Sequence, residues 1–251
     1  MEITASGITD IGRKRDRNED NYLINDELQL YVVADGMGGH AGGEYASALA
    51  VNTVEEIVTS MELPGDPAPD EADPVDIIRG RLAEAVRLAG HRIFDWAAEH
   101  PEFRGMGTTS VVLLLHHGNA FIAHVGDSRL YLVRDGVIRQ ITEDHSLVAQ
   151  SIREGLLTEE QARFHRMRNV ITRALGFDRK VEVDIVVHAV RRGDTFLLCT
   201  DGLSGKVDDS EMRDLIAANE PQIAARHLVS AACARGGEDN ITVIVVRVES
   251  T

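Results

Sequence analysis

Four aspartates stand where apolar runs of the sequence end or begin. Asp35 closes YVVAD, Asp127 closes IAHVGD, Asp201 follows FLLCT, and Asp239 lies in GGEDN just before NITVIVVRV. Taken singly, each is equally well explained by the preference of Asp and Gly for turns. Together they indicate a shared site, because the strand ends of one sandwich can converge, and adjacent carboxylates repel unless a cation lies among them.

The chemistry of these side chains favours a hard divalent cation. Carboxylates, carbonyls and water are the ligands that Mg²⁺ and Mn²⁺ prefer. The sequence has no Cys-x-x-Cys pair and no histidine cluster of zinc-binding spacing. The glycines of DGMGGHAGG would let the carbonyl of Gly36 face a metal without a side chain in the way. We therefore expect magnesium or manganese beside Asp35.

Three other motifs are rejected at this stretch. Residues 36–41 satisfy the G-x-G-x-x-A pattern of dinucleotide-binding proteins. However, Asp35 would direct negative charge towards the pyrophosphate, and two helices follow instead of a βαβ return. An EF-hand would need oxygen ligands where Met37 and Gly39 stand, and a P-loop would need a lysine.

Composition limits the classes of protein to consider. The 251 residues, 43% of them hydrophobic, can build one sizeable core, and we expect a single domain spanning 1–251. The net charge of −15 argues against nucleic acid and anionic membranes as partners, since both are polyanions. Without a membrane span or a signal peptide, the chain is expected to be a cytoplasmic monomer. Cys199 and Cys233 lie in apolar runs and are expected to be buried, unreactive thiols.

The elements that must position the aspartates change in kind along the chain. Short β-like runs open it, followed by two amphipathic helical segments that are separated by a Pro- and Asp-rich loop at 63–74. A β meander from TTSVVLLLHH to VIRQIT comes next, and two strands, two helices and a closing strand end the chain. This order favours an α+β fold, a four-layer α-β-β-α sandwich of two mostly antiparallel sheets flanked by helices. The charged segment at about 145–176, with two short helices, is expected to form a surface flap.

The ordered motifs of the chain resemble those of one enzyme family. RDRNEDN, VVADGMGGHAGGE, GTTS, HVGDSRLYLVRDG, RNVITRALG, LLCTDGL and GGEDNITVIVV span Arg15 to Val246. In this order they resemble the metal-dependent Ser/Thr protein phosphatases of the PPM group, or type 2C phosphatases, in their bacterial form. The α-β-β-α sandwich of that family agrees with the fold expected from the elements.

The resemblance implies two Mg²⁺ or Mn²⁺ ions as cofactors, and a third, weaker one in bacterial members. Asp35 would bridge two ions, and the Gly36 carbonyl would help to hold one of them. Asp201 and Asp239 would hold the other. Asp127 would bind the third ion together with Asp201.

The resemblance also implies residues that act on water and phosphate. Glu19 and Asp20 would orient metal-bound water, supported by Asn240. The guanidinium fork of Arg15 suits two phosphate oxygens, although the basic stretch around it has the alternative reading of a solvated surface. Arg129 is expected to form a structural ion pair near the metals.

The proton donor for the leaving group is less well defined. Many eukaryotic members carry a histidine where this chain has Met37, which cannot donate a proton. His40 is the nearby substitute. Three roles remain open: His40 protonates the leaving oxygen, it only hydrogen-bonds a water or phosphate, or a metal-bound water is the acid.

The resemblance therefore predicts an enzyme, a phosphoprotein phosphatase. It would hydrolyse phosphoserine and phosphothreonine by direct attack of a metal-bridging water or hydroxide, without a phosphoenzyme. Its partners would be phosphoproteins, including a bacterial Ser/Thr kinase that it opposes and the substrates of that kinase. One alternative is a phosphatase of the same fold dedicated to a single regulatory phosphoprotein. Another is a catalytically silent binding module, which the presence of all four aspartates disfavours.

Overall fold

The computed structural model describes residues 1–39, 41–61 and 73–250, and in these ranges the strands form two antiparallel sheets. The first sheet has the strand order β1 (Glu2–Asp10), β11 (Ile241–Ser250), β10 (Thr195–Cys199), β7 (Arg129–Arg134) and β8 (Val137–Gln140). The second has the order β2 (Asp20–Asn25), β3 (Leu30–Met37), β5 (Ser110–His116), β6 (Asn119–Val125) and β9 (Asp184–Ala189), with β4 (Gly107–Thr108) paired to β3.

Helices lie outside both sheets. They are α1 (Gly42–Ser60), α2 (Pro74–Glu99), α3 (Leu147–Arg153), α4 (Glu159–Arg163), α5 (Asp201–Ser204), α6 (Asp209–Ala217) and α7 (Pro221–Ala234). The helix α2 begins with a cap: Pro74 occupies its first turn, and the side chain of Asp73 accepts a hydrogen bond from the Val75 amide at 2.9 Å. No helix in the described ranges has both the length and the apolar content that a membrane crossing requires.

The alternation of side chains along β3 shows how the layers are built. Successive residues of a strand point to opposite faces of its sheet. Leu30, Val32 and Ala34 pack in a core with α1 and α2, whereas Tyr31 and Val33 pack in a second core against the other sheet. Because both faces are covered, the strand reads as an almost unbroken apolar run.

A third core completes the stack. Buried residues of β10 and β11 pack there against α5, α6 and α7, for example Leu197 and Val245 against Leu228. The layers are therefore helices, sheet, sheet, helices. The α-β-β-α sandwich expected from the sequence is confirmed.

The local elements differ from expectation at three places. The segment KVEVDIVVHAV at 180–190, the first of the two strands expected after the flap, is a strand only over Asp184–Ala189, because its ladder with β6 ends at the pair His124–Asp184. The two-residue strand β4 and the helix α5 were not expected, since both are too short to show a periodic pattern. The two short helices of segment 145–176 are present as α3 and α4, but the bounds of a flap and of a single domain stay predictions. Most of the loop expected at 63–74 lies outside the described residues.

The core between the two sheets should dominate stability. Phe196 is fully buried there. We expect Phe196→Ala to lower the free energy of unfolding by about 3–5 kcal/mol, because it removes buried apolar area and leaves a cavity. In the same urea titration, Phe164→Ala should change it by less than about 0.5 kcal/mol, since that ring is 83% exposed. Equal losses in the two variants would contradict the layer assignment.

Candidate metal centre

The strand pairing brings the aspartates to one end of the sandwich. Asp20 and Asp35 stand directly opposite each other in the β2–β3 ladder of the second sheet. In the first sheet, β10 ends just before Asp201, and the antiparallel neighbour β11 begins just after Asp239. Each sheet therefore contributes its own acids to the same end. Asp127 joins them from the loop after β6.

Close backbone contacts between the loops explain why glycines follow these acids. A Cβ added to Gly202 would lie 2.0 Å from the carbonyl oxygen of Asn240, and one added to Gly36 would lie 2.1 Å from the carbonyl oxygen of Gly43. No side chain fits at such distances. The glycines after Asp35 and Asp201 thus allow neighbouring segments to approach the site.

Asn240 joins the two sheets at this end. Its Oδ1 accepts a hydrogen bond from the Glu19 amide at 2.8 Å. Its Nδ2 donates to the carbonyls of Ile11 at 3.0 Å and Arg17 at 2.9 Å. The residue after Asp239 therefore fixes the loop that carries Glu19.

Asp20 is held more deeply than the other acids. It is buried, and its Oδ2 accepts hydrogen bonds from Thr200 Oγ1 at 3.0 Å and Thr242 Oγ1 at 2.6 Å. Its Oδ1 is buried without a partner, as is Oδ1 of Asp201. Buried polar atoms are nearly always satisfied. Two unpaired carboxylate oxygens at one place therefore point to a missing positive partner.

The electrostatics of the cluster agree with this. Burial raises the pKa of Asp35, and the negative charges of neighbouring acids, first Asp20 and then Asp201, raise it further. Burial likewise raises the pKa of Asp20, Asp127 and Asp201, each with a further contribution from a nearby carboxylate. Two guanidinium groups offset part of this charge. Arg15 Nη2 lies 2.7 Å from Asp239 Oδ2, and the charge of Arg129 lowers the pKa of Asp127 and Asp201.

The residues fit a divalent cation with oxygen ligands. The site offers carboxylates and backbone carbonyls, two of the carboxylate oxygens are unpaired, and the mutual repulsion of the acids is what a cation would relieve. Sulfur does not belong to the cluster, since Cys199 packs in the core with α5, α6 and α7. A soft-metal site is therefore not supported here.

Thr109 also takes part in the site, although the sequence singled it out only as part of a motif. The Asp35 amide donates to Thr109 Oγ1 at 2.9 Å, and the Thr109 amide donates to the Asp35 carbonyl at 2.9 Å. Thr108 Oγ1 donates to the same carbonyl at 2.8 Å. Both threonines belong to the GTTS motif, and together their hydrogen bonds fix the backbone of Asp35. Thr200 and Thr242, the partners of Asp20, were missed.

The other expected site residues have different outcomes. Arg129 pairs with Asp144 through Nε and Nη2, the latter at 2.7 Å, so it does form an ion pair beside the cluster. Glu19 lies at the edge of the acidic cluster. Burial raises its pKa, and the charge of Arg15 opposes part of this shift. Met37 ends β3. His40 lies outside the described residues, so its part in the site stays a prediction.

Comparisons with known sequences and structures all match this chain to protein phosphatases. A family model described as protein phosphatase 2C matches residues 12–232. The serine/threonine phosphatase stp of Listeria monocytogenes is 37% identical, over 97% of this chain and 95% of the relative. The crystal structure of the serine/threonine phosphatase PstP/Ppp of Mycobacterium tuberculosis has a TM-score of 0.88 at 35% identity, covering 98% of this chain and 99% of that one. A structure of the PstP catalytic domain in complex with two manganese ions has a TM-score of 0.84 at 34% identity, covering 98% and 97%.

The tight contact between Gly202 and Asn240 gives a testable consequence. We expect Gly202→Ala to lower the free energy of unfolding by about 1–3 kcal/mol, because the new methyl group must push the helix of Asp201 away from the Asn240 loop. Gly80→Ala is the matched control: it lies in α2 with open space around it. The control should raise the free energy of unfolding by about 0.5–1 kcal/mol through helix propensity. Urea denaturation of both variants tests this, and a neutral Gly202→Ala would refute the close approach.

Proposed function

This chain belongs to the protein phosphatase 2C family and is a Ser/Thr protein phosphatase acting on phosphoproteins, and we propose that the acids at the end of its two sheets hold two Mg²⁺ or Mn²⁺ ions. The family is metal-dependent, and the related PstP catalytic domain was crystallised with two manganese ions. The single observation that supports the proposal most is the pair of buried, unpartnered oxygens on Asp20 and Asp201.

The ligands proposed for these ions are those that the family resemblance implies. Asp35, whose pKa is raised by the charges of acids from both sheets, would help to hold both ions, and the carbonyl of Gly36 would help to hold one of them. Asp201 and Asp239 would hold the other ion. Asp127, whose pKa is raised by burial and by the charge of Asp201, would share a third, weaker ion with Asp201. When bound, such ions polarise phosphoryl oxygens and lower the pKa of water at the site.

Asp20 and Glu19 would orient the attacking water. Hydrogen bonds from Thr200 and Thr242 fix one oxygen of Asp20, so the other, which is unpaired, can accept a hydrogen bond from a water that the ions would hold. Glu19 is held through its backbone by Asn240 and by Ser47, whose Oγ donates to the Glu19 carbonyl at 2.6 Å. Rigid acceptors of this kind orient water for attack in line with the phosphorus.

Arg15 would bind the phosphate group. Its side chain is half exposed and pairs with Asp239, so a phosphate entering from solvent can take over two of its donors. The guanidinium would then neutralise charge on the phosphoryl oxygens as the phosphorus–oxygen bond to serine or threonine breaks. The proton that the leaving oxygen needs would come from His40 or from water.

We further propose that the physiological role is to oppose a bacterial Ser/Thr kinase, with the kinase and its substrates as partners. The names of the relatives support this at the level of Ser/Thr phosphatases. Dedication to one regulatory phosphoprotein is the alternative. Phosphoproteomics of a strain with Asp239→Asn in place of the native chain would separate the two, by giving many accumulating sites or one.

Removal of divalent cations should abolish the activity. With EDTA, hydrolysis of a phosphothreonine peptide should fall to background and return on addition of Mn²⁺, because the acids alone cannot polarise the phosphate. Asp201→Asn should lower kcat on the order of 10³-fold, while Asp214→Asn, on the exposed side of α6, should leave it unchanged. Activity that survives chelation would contradict the proposal.

Arg15 should contribute more to phosphate binding than the basic residues beside it. Arg15→Ala should raise KM for the phosphopeptide and the inhibition constant of inorganic phosphate on the order of tenfold, because a charge-assisted, two-pronged contact is lost. Arg17→Ala removes the same charge from the same stretch. Arg17→Ala should leave phosphate binding close to that of the parent chain. If both variants weaken phosphate binding equally, the stretch acts only as a solvated basic surface.

A further inference from the structure

Gly126, the residue before Asp127, is held in an unusual conformation. Its φ of +109° is one that side-chain-bearing residues rarely adopt, and an added Cβ would lie 2.6 Å from Thr109 Cγ2. Such a backbone must be fixed by its surroundings, since glycine alone would be free to leave it. Both polar groups of Gly126 are in fact bonded, and the partners are two histidines.

Three hydrogen bonds fix this glycine. The Gly126 amide donates to Nδ1 of His145 at 3.0 Å. The Gly126 carbonyl accepts from the backbone amide of His145 at 2.9 Å and lies 2.8 Å from Nε2 of His124. The peptide that precedes Asp127 is thus held from both sides.

The protonation of His145 follows from these contacts. Because Nδ1 accepts a hydrogen bond from the Gly126 amide, the single ring proton resides on Nε2, which lies 3.2 Å from Oδ2 of Asp184. Burial lowers the pKa of both His145 and His124, which favours the neutral form of each ring. A neutral ring is needed, since a protonated Nδ1 could not accept.

Arg173 holds the carboxylate that faces the ring. Its Nη1 donates to Oδ1 of Asp184 at 2.6 Å, and its 3.0 Å separation from Nε2 of His145 is a contact and not a hydrogen bond, because that nitrogen carries the ring proton. Ligand atoms of His124, His145 and Asp184 lie within 4.8 Å of one another, a separation that could suit a metal. The guanidinium already supplies the positive charge there, so this group acts as a support and not as a further metal site.

The same histidine lies at the base of segment 145–176. The Thr172 amide donates to the His145 carbonyl at 2.8 Å, and Arg173 follows directly in the chain. The two ends of the segment therefore meet at the ring that fixes Gly126. On the other side of Asp127, Ser128 is tied to Thr109 by a hydroxyl contact of 2.7 Å.

We propose that His145 is a positioning residue of the phosphatase, whose Nδ1 holds the Gly126 peptide so that the carboxylate of Asp127 stays within the acidic cluster. This inference rests on the proposed function, since it concerns the ion assigned to Asp127. The ring acts through Gly126 and touches neither substrate nor metal. Loss of the acceptor at Nδ1 leaves the Gly126 amide unpaired, which weakens the hold on this peptide and lets Asp127 turn away from Asp201.

Two substitutions of His145 separate the acceptor from the bulk of the ring. In His145→Asn, Oδ1 replaces Nδ1 as the acceptor for Gly126. In His145→Gln, the amide replaces Nε2 and the acceptor is lost. His227→Gln, on the exposed face of α7, is the control, and Asp127→Ala marks the ion in question. Binding of Mn²⁺ to the full chain is followed by the electron paramagnetic resonance signal of the free ion, with thermal unfolding measured in parallel.

We expect His145→Gln to weaken the weakest class of Mn²⁺ site by about tenfold, because a buried amide loses its acceptor. Asp127→Ala should abolish that class, and His145→Asn and His227→Gln should bind as the parent chain does. If His145→Gln fails to fold, Asp184→Ala carries the test. It frees the ring without removing it and should weaken the same class about threefold.

If His145→Gln binds Mn²⁺ normally while Asp127→Ala loses the weakest class of site, the role of His145 is overturned and the proposed function stands. Equal loss in His145→Asn and His145→Gln would also overturn it, because the acceptor would then not matter. Normal binding by Asp127→Ala would overturn both the inference and the third-ion assignment. Absence of Mn²⁺ binding in the parent chain would overturn the proposed function itself.

Discussion

Mutual repulsion among carboxyl groups at one end of two packed sheets is the constraint on which the rest of this structure depends. The pKa of Asp35 is raised by burial and by the charges of its neighbours, so the fold holds these acids together against an electrostatic cost. Hydrogen bonds from Thr200 and Thr242 and the ion pair with Arg15 offset part of it. The two unpaired oxygens show that the compensation is incomplete, and divalent cations would complete it.

The fold can hold these repelling acids close together only because the two sheets form a rigid frame. One sheet supplies Asp20 and Asp35, the other supplies Asp201 and Asp239, and the apolar core between the sheets sets the distance from one pair to the other. Asn240 adds a polar link across the same end. A catalytic site that spans two sheets therefore depends on core residues far from the chemistry, since a small shift of one sheet would separate the acids.

The sequence predicted the elements of this fold better than the contacts of its site. Apolar runs that end or begin beside an aspartate located the strand ends and the acids, because both the strand pattern and the acid are local features. The partners of Asp20 could not be predicted, since Thr242 lies 222 positions away along the chain and only the pairing of strands brings it near. The helix at Asp201 is too short for a periodic signal. The contact of His145 with Gly126 depends on a ring orientation that no pattern of residue types encodes.

A manganese anomalous difference map from crystals of this chain grown with Mn²⁺ tests whether the clustered acids hold cations. We expect at least two peaks enclosed by Asp35, Asp201 and Asp239, with the unpaired oxygen of Asp201 directed at a peak. A map in which these carboxylates approach one another with no ion between them would contradict the metal centre. Peaks found only at His124, His145 and Asp184 would contradict it equally.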